Sequence, residues 1–411
     1  LSVTISKGVI RQADLLANSS KKDSSNLDKS KYKLVEPGDI AYNKMRAWQG
    51  AVGVSRYRGI VSPAYVVVRP RRPDNPDYFH FLFRTPGFVK EAERWSYGIT
   101  SDMWSLRPEH FKLIYSCIPS RSEQDAIVAF LRSFAAKVRR FIHNRQRLIE
   151  VLNEHKQAII NQAVTRGLNP DAPLKPSGIE WLGAIPEHWE IVPLRWYIRI
   201  GSGDFLAGQE IFAEKSISHP NPVIGGNGIL GYTALQNNDR PTIVIGRVGA
   251  LCGNVHFVQG KAWITDNALR LTHVRKFTLD YLSVQIESMN LNRLANANAQ
   301  PLITGAMVKH HQAVLPLYSE QKAIVAHISE VKSGFDISIR TAQCEIALIR
   351  EYRTRLTSDV VTGKLDVRHL SADIEKDLTE SMDLDEDFDD GEVLGPEEAD
   401  FPNESDQIEE E

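Results

Sequence analysis

Two stretches of this 411-residue chain carry side chains suited to the edges and backbone of duplex DNA. The first presents Lys44, Arg46, Trp48 and Gln49, with Arg56, Tyr57 and Arg58 close behind. The second spreads over Asn227, Tyr232, Arg247, Asn254, His256, Lys261 and Asn267. An arginine guanidinium can donate as a fork to O6 and N7 of guanine, and a Gln or Asn carboxamide can bond N6 and N7 of adenine. Lysine and arginine also hold phosphates, which positions a protein without reading sequence. Any one of these residues would be unremarked on an ordinary surface loop. Their recurrence in equivalent places of the chain makes them candidates for DNA binding.

The equivalence comes from an internal duplication. NKMRAWQGAV (43–52) aligns with GRVGALCGNV (246–255) at an offset of 203, which sets Lys44 against Arg247, Ala47 against Ala250, Gly50 against Gly253 and Val52 against Val255. Asp77-Tyr78 meets Asp280-Tyr281 at the same offset. A stronger repeat follows each copy. SEQDAIVA (122–129) returns as SEQKAIVA (319–326) at an offset of 197, and that offset holds as far as Val164-Thr165 and Val361-Thr362.

These later repeats are the elements that must position the candidate residues. In the first, Ile127, Phe134, Phe141, Leu148 and His155 alternate with Leu131, Val138, Arg145, Leu152 and Ile159 in heptad register. In the second, Ile324, Val331, Ser338, Glu345 and Tyr352 alternate with Ile328, Phe335, Ala342, Ile349 and Leu356. Eight of ten positions are apolar in each, so each repeat is predicted to be a long helix burying a narrow stripe, and the two can satisfy each other. Ser122 and Ser319 are predicted as their N-caps.

The predicted fold class is α+β, with two mixed domains separated by a long antiparallel pair of helices. The domains run 1–118 and 178–315, each followed by a long helix, 119–168 and 316–370. Residues 169–177, with Pro170, Pro173 and Pro176, read as a stiff linker. Strands are expected at Leu1–Ile10, Ile40–Tyr42, Val54–Tyr57 and Tyr65–Val68, a polar loop at Asn18–Lys33, and a helix over Asp77–Arg84. The second domain has 68 residues between Gly178 and its central motif, the first only 42 before Asn43, so the first is expected to lack a leading segment.

The net charge of −3 hides a division. Of 52 acidic and 49 basic residues, 19 acidic and one basic lie in 373–411, which leaves 33 acidic and 48 basic in 1–372, a net of +15. A body this basic suits a polyanionic partner. The segment 371–411 is predicted to be a disordered acidic tail, either solubilising or mimicking DNA at the basic face. Hydrophobic content of 42% is ordinary for a globular chain, and no apolar run approaches the ~18 residues of a membrane span. Cys117, Cys252 and Cys344 are scattered and odd in number, which argues against a disulfide framework or zinc site and points to a reducing cytosol.

No catalytic signature stands out. GxxxxGK[ST], GxSxG, a nuclease carboxylate–lysine set and an Asn-Pro-Pro-aromatic methyltransferase motif are all missing; Asn221-Pro222 lacks the continuation. His310-His311 has no third ligand at helical spacing. The glycines of NPVIGGNGILGY (221–232) read as a tight turn between strands, or as a loop that brings the backbone and Asn227 close to DNA.

The combination of GDIAYNKMRAWQGAVGVSRYRGIVSPAYVVVRP (38–70), SGIEWLGAIPEHWE (177–190), NPVIGGNGILGY, IGRVGALCGNV (245–255) and two PxxSEQ-headed helices resembles the specificity subunits of bacterial type I restriction–modification enzymes. The resemblance covers about Gly38 to Leu365 and leaves out the acidic tail. It implies a non-catalytic subunit with two target-recognition domains, each reading one half of a split double-stranded DNA site. It also implies docking to methyltransferase subunits, two of them expected, and through them to restriction/translocase subunits. No cofactor is expected on this chain; S-adenosylmethionine would sit on the methyltransferase partner. A bacterial cytoplasmic location and no membrane partner follow. Two other readings remain open: a self-contained sequence-specific DNA-binding or scaffold protein, and a stand-alone nuclease. With about 44 helical residues each, the paired helices would be about 66 Å long, which limits the separation of the two contact zones to about 19 base pairs.

Overall fold

A computed structural model describes residues 1–5, 7–17, 29–100, 103–179, 182–249, 252–294 and 301–370. The predicted tail at 371–411, most of the polar loop at 18–33, Trp181 and Ala250 lie outside the described residues. Among those described, no helix is long and apolar enough to cross a membrane. The chain divides into two compact units, Leu1–Gln146 with Gln343–Glu411, and Arg147–Ala342. The division falls within both long helices.

The first unit opens with strands β1 (Ser2–Thr4) and β2 (Gly8–Ile10), paired antiparallel. A single strand was expected over Leu1–Ile10, but the Thr4 hydroxyl accepts from the Lys7 amide and turns the chain between them. A short helix α1 (Gln12–Ala17) follows. Strands β3 (Lys33–Val35), β4 (Ile40–Asn43), β5 (Val52–Val54), β6 (Gly59–Val61) and β7 (Tyr65–Val68) come next. They form a three-stranded antiparallel sheet in the order β5-β4-β7 and a separate β3-β6 pair. Helices α2 (Pro76–Leu82), α3 (Pro86–Arg94) and α4 (Pro108–Phe111) each start with proline, whose missing N–H costs nothing at that position. Asn75 and Thr85 cap the first two. The long helix α5 spans Arg121–Arg166.

The second unit contains β8 (Leu174–Pro176), β9 (Ala184–Pro186), β10 (Glu190–Pro193), β11 (Ile198–Ser202), β12 (Asn221–Gly225), β13 (Gly228–Thr233), β14 (Thr242–Gly246), β15 (Val255–Val258), β16 (Trp263–Ile264) and β17 (Ala268–Val274). Helices α6 (Leu279–Ser288) and α7 (Gly305–His310), strand β18 (Gln312–Leu315) and helix α8 (Tyr318–Val361) complete the order. Its main sheet is antiparallel, β11-β17-β14-β15, beside a β13-β12-β16 sheet in which β12 and β16 run parallel. The stretch expected as a bare linker, 169–177, includes β8, which pairs with β9. Helices and sheets, antiparallel in the first unit and partly parallel in the second, make the fold α+β.

The long helices meet in both units. In the first, the Phe134 ring meets Tyr352 edge-on at 5.9 Å and Arg145 pairs with Glu345 at 2.8 Å. In the second, His155 meets Phe335 at 5.9 Å and Lys156 pairs with Asp336 at 2.9 Å. In the first unit numbers rise along α5 as they fall along α8, and in the second Ile160 and Val164, beyond His155, share a core with Ile328 and Ile324, before Phe335, so the segments run antiparallel in each. Their starts differ from the prediction by a residue or two. Ser122 and Ser319 each stand second in their helix. The Glu123 amide donates instead to the Ser120 hydroxyl, and the Glu320 carboxylate accepts from the Leu317 amide.

The same fastening holds sheet domain to helix in both units. Gln124 and Gln321 are fully buried. Gln124 Oε1 accepts from the amide of Asn75, the cap of α2, at 2.8 Å, and its amide group donates to Asp74 and to the Pro119 carbonyl. Gln321 Oε1 accepts from the amide of Thr278, the cap of α6, at 2.7 Å, and donates to the Lys276 and Pro316 carbonyls. Tyr78 donates to carbonyls that include Val361's at 3.1 Å, and Tyr281 donates to the Val164 carbonyl at 3.5 Å. Burial raises both phenol pKa values, that of Tyr78 to about 12, so both stay donors. Around them close Ile127, Leu131 and Val360 in one unit, and Ile160, Trp189 and Ile324 in the other.

Candidate nucleic-acid interface

The first candidate cluster lies on the connection between β4 and β5. Asn43 N donates to the Ala51 carbonyl at 3.0 Å and closes the loop. Gly50, at φ 101°, takes a left-handed conformation there. Lys44, Arg46 and Trp48 are half-buried and Gln49 is exposed. Trp48 stands edge-on to Trp104 at 5.3 Å and spends its indole N–H on the Met45 carbonyl, so it stiffens the loop from within.

The second unit repeats this arrangement between β14 and β15. Gly246 N donates to the Asn254 carbonyl at 2.8 Å, and Gly253 has φ 88°. The cation-bearing residue is held identically in both units: the Lys44 carbonyl accepts from Leu106 N at 2.9 Å, and the Arg247 carbonyl accepts from Ile303 N at 2.8 Å. Leu106 and Ile303 are themselves fully buried and stand 197 residues apart, the offset of the helix repeat. The alignment of Lys44 with Arg247 is therefore a structural equivalence.

Around Arg247 several candidates converge. Its amide donates to the Asn267 carbonyl at 3.0 Å, and among the described residues its guanidinium bonds neutral acceptors, Ser202 Oγ and the Asp266 carbonyl, both at 3.4 Å. The His256 ring lies 3.4 Å from the Gly226 carbonyl. Gly226 sits so close to this corner that a Cβ there would fall 3.2 Å from the Asn267 carbonyl oxygen. Exposed Asn227 follows it at the turn between β12 and β13. Asn227, Arg247, Asn254, His256 and Asn267 thus gather at one end of the sheets. Tyr232 and Lys261 do not join them. Tyr232 lies at the far end of β13, exchanging backbone bonds with Phe212, and Lys261 follows the opposite end of β15.

The first unit also separates its candidates. Ile40 pairs with Val54 and Tyr42 with Val52, so Lys44–Gln49 and Arg56–Arg58 leave β5 at opposite ends. At the second end the charges are internally matched. Arg56 pairs with Asp77 at 3.1 Å, Arg132 of α5 also binds Asp77, Arg58 pairs with Glu36 at 3.2 Å, and Arg11 lies over the Tyr57 ring at 4.6 Å. By contrast, among the described residues no carboxylate pairs with Lys44, Arg46 or Arg247.

Sequence reasoning missed Lys33. Partial burial lowers its pKa, and the nearby Lys44 ammonium lowers it further. Its Nζ is held by the Tyr65 and Pro63 carbonyls at 2.7 and 3.3 Å. Two ammonium groups that repel each other favour an anion between or beside them, as a phosphate would be. The basic run Lys29-Ser-Lys31-Tyr-Lys33 was the available signal.

No family model matches the chain. Over 164 residues, 40% of its length and 40% of the relative's, it is 26% identical to the EcoprrI type I restriction enzyme specificity subunit of Escherichia coli. Over 302 residues, 64% of each, it is 22% identical to the MjaVIII type I restriction enzyme specificity subunit of Methanocaldococcus jannaschii. The chain thus spans less than two thirds of the length of these curated relatives. A chain solved in work on complex assembly and conformational transition of the type I R-M system superposes with a TM-score of 0.63 at 17% identity, covering 82% of this chain and 85% of that one. The curated relatives are the specificity subunits that the sequence motifs resemble.

Proposed function

We propose that this chain is the non-catalytic DNA-recognition subunit of a type I restriction–modification complex, with each unit reading one part of a two-part target. The observation that carries the reading is the matched pair Lys44 and Arg247. Among the described residues neither cation pairs with a carboxylate, and each is held at the same point of an equivalent loop, in a body of net +15 over 1–372. The likeness to type I specificity subunits supports it. Methyltransferase subunits would dock on the long helices, which leave Leu348 and Tyr352 exposed in the first unit and Leu148, Val151 and Ile337 in the second. Such subunits would carry S-adenosylmethionine and link this chain to the restriction subunits.

Selection of binding sites from a random duplex pool tests the reading. The wild-type chain should enrich two short, unrelated half-sites at a fixed gap. Arg247→Ala should lose about 1–3 kcal/mol at one base position if the guanidinium reads guanine. Lys44→Ala should weaken all sequences alike and lower the salt slope by about one if the ammonium holds phosphate. Unchanged binding in both variants would place the DNA elsewhere. Co-purification with an adenine methyltransferase separates this reading from a self-contained DNA-binding protein.

The gap should follow helix length. Helices of 46 and 44 residues are about 69 and 66 Å long. Inserting seven residues after Arg145 and seven after Glu345, which face each other, keeps the apolar stripe in phase. We expect the selected gap to widen by about three base pairs with both half-sites unchanged. An altered half-site at an unaltered gap would refute a spacer role.

A further inference from the structure

The β12–β13 ribbon carries two side chains that neither the helix repeat nor the polar clusters explain. Ile229 is 60% exposed and Leu230 is 53% exposed, side by side just beyond the turn that holds Asn227. Alternation along a strand would turn one of two neighbours inward. Here the register slips. Val223 pairs with Gly231 and Ile224 with Ile229, so Leu230 is an extra residue in its strand. A bulge of this kind re-aims a side chain, and both aliphatic groups end up facing solvent.

The ribbon is firmly seated at its base. Gly226 packs against Gly246 and Arg247, and the His256 ring stands 3.4 Å from the Gly226 carbonyl. The exposed aliphatic pair is therefore fixed beside Arg247, which pairs with no carboxylate among the described residues, and an exposed Asn267. A protein-binding patch would favour apolar neighbours over such a mixture of cation and carboxamides. The major groove of DNA admits a two-stranded ribbon and offers phosphates, donor and acceptor edges, and one apolar group, the thymine methyl.

Given the proposed DNA-reading role on which this rests, we infer that Ile229 and Leu230 are specificity-determining residues: the β12–β13 ribbon enters the major groove and reads thymine through its 5-methyl group. Asn227 and Arg247 flank this contact with polar reach to neighbouring bases or phosphates. A cytosine at that position has no methyl and would be discriminated against without any hydrogen bond.

The test uses the full chain, with its methyltransferase partner where the two co-purify, and sites selected from a random duplex pool. The half-site belonging to the second unit is the one whose consensus Arg247→Ala alters. Within it, replacing one thymine at a time by deoxyuridine removes a single methyl group. One such replacement should weaken wild-type binding about fourfold, the worth of one buried carbon. The Ile229→Ser, Leu230→Ser double variant should bind thymine and deoxyuridine sites alike and select no thymine there, while the other half-site is retained. If the wild type tolerates every deoxyuridine, the inference is overturned, whether or not the variant folds. An unchanged consensus in the variant overturns it too, and if methyltransferase binding is lost in that variant the patch is a protein-docking surface. If the wild type selects no sequence at all, the DNA-reading role itself fails.

Discussion

Tyr281→Ala is expected to destabilise the second unit by about 3–5 kcal/mol, the range for deleting a large buried ring. Tyr281 is fully buried, stacks near-parallel to Phe277 and lies in the same core as Ile324, Ile328 and Val164. It is also where α6 meets the end of α5, through the phenol and the Val164 carbonyl. Removing the ring opens a cavity between domain and helix and leaves Gln285, which donates to the phenol oxygen at 3.4 Å, one acceptor short. Tyr281→Phe keeps the ring and should cost only about 0.5–1.5 kcal/mol. Hydrogen exchange read peptide by peptide distinguishes the effects. Protection should fall across Arg147–Ala342 in the alanine variant and stay near wild type in the first unit. A loss below about 1 kcal/mol would mean that the domain is not fastened to its helix through this ring.

Ending the chain at Ala342 should have a larger effect and a different address. The first unit draws Val360, Val361 and Val367 into the cluster around Tyr78, Leu82, Ile127 and Leu131. Without them that cluster faces water, and Tyr78 loses the Val361 carbonyl. Each of these valines contributes about 1.5–3 kcal/mol by burial, so losing all three approaches the whole stability of an ordinary domain. We expect protease to digest 1–146 in the shortened chain while the second unit resists. Equal resistance of both units would show that α8 is dispensable to the first.

Much of this arrangement was legible beforehand, because duplication leaves a record that a single copy does not. The offset of 203 set Lys44 against Arg247, and the structure gives their carbonyls equivalent partners, Leu106 and Ile303. The heptad stripes marked α5 and α8, and the glycines near Asn227 marked a hairpin turn. What escaped reading depended on pairing across distance. The ion pair of Arg56 with Asp77, 21 residues on, leaves no local trace in the sequence. Lys33 reaches Lys44 only because β3 pairs with β6 while β4 pairs with β7. Ile229 and Leu230 look like ordinary strand residues, since a bulge is a property of the partner strand as much as of their own. The order β11-β17-β14-β15 joins strands from distant parts of the chain, and no local pattern encodes it.

The division of the chain also has a consequence in time. The second unit is one unbroken run, Arg147–Ala342, but the first needs residues from both sides of it. At roughly 5–20 residues per second, the ribosome takes on the order of 10–40 s to cross that run. Throughout, Tyr78, Leu82, Ile127 and Leu131 are synthesised but lack Val360 and Val361 to cover them. The unit that is begun first is finished last. Its half-built apolar face would be a target for chaperones during synthesis, and a ribosome stalled near residue 342 would release a chain whose later unit is whole and whose earlier unit is not.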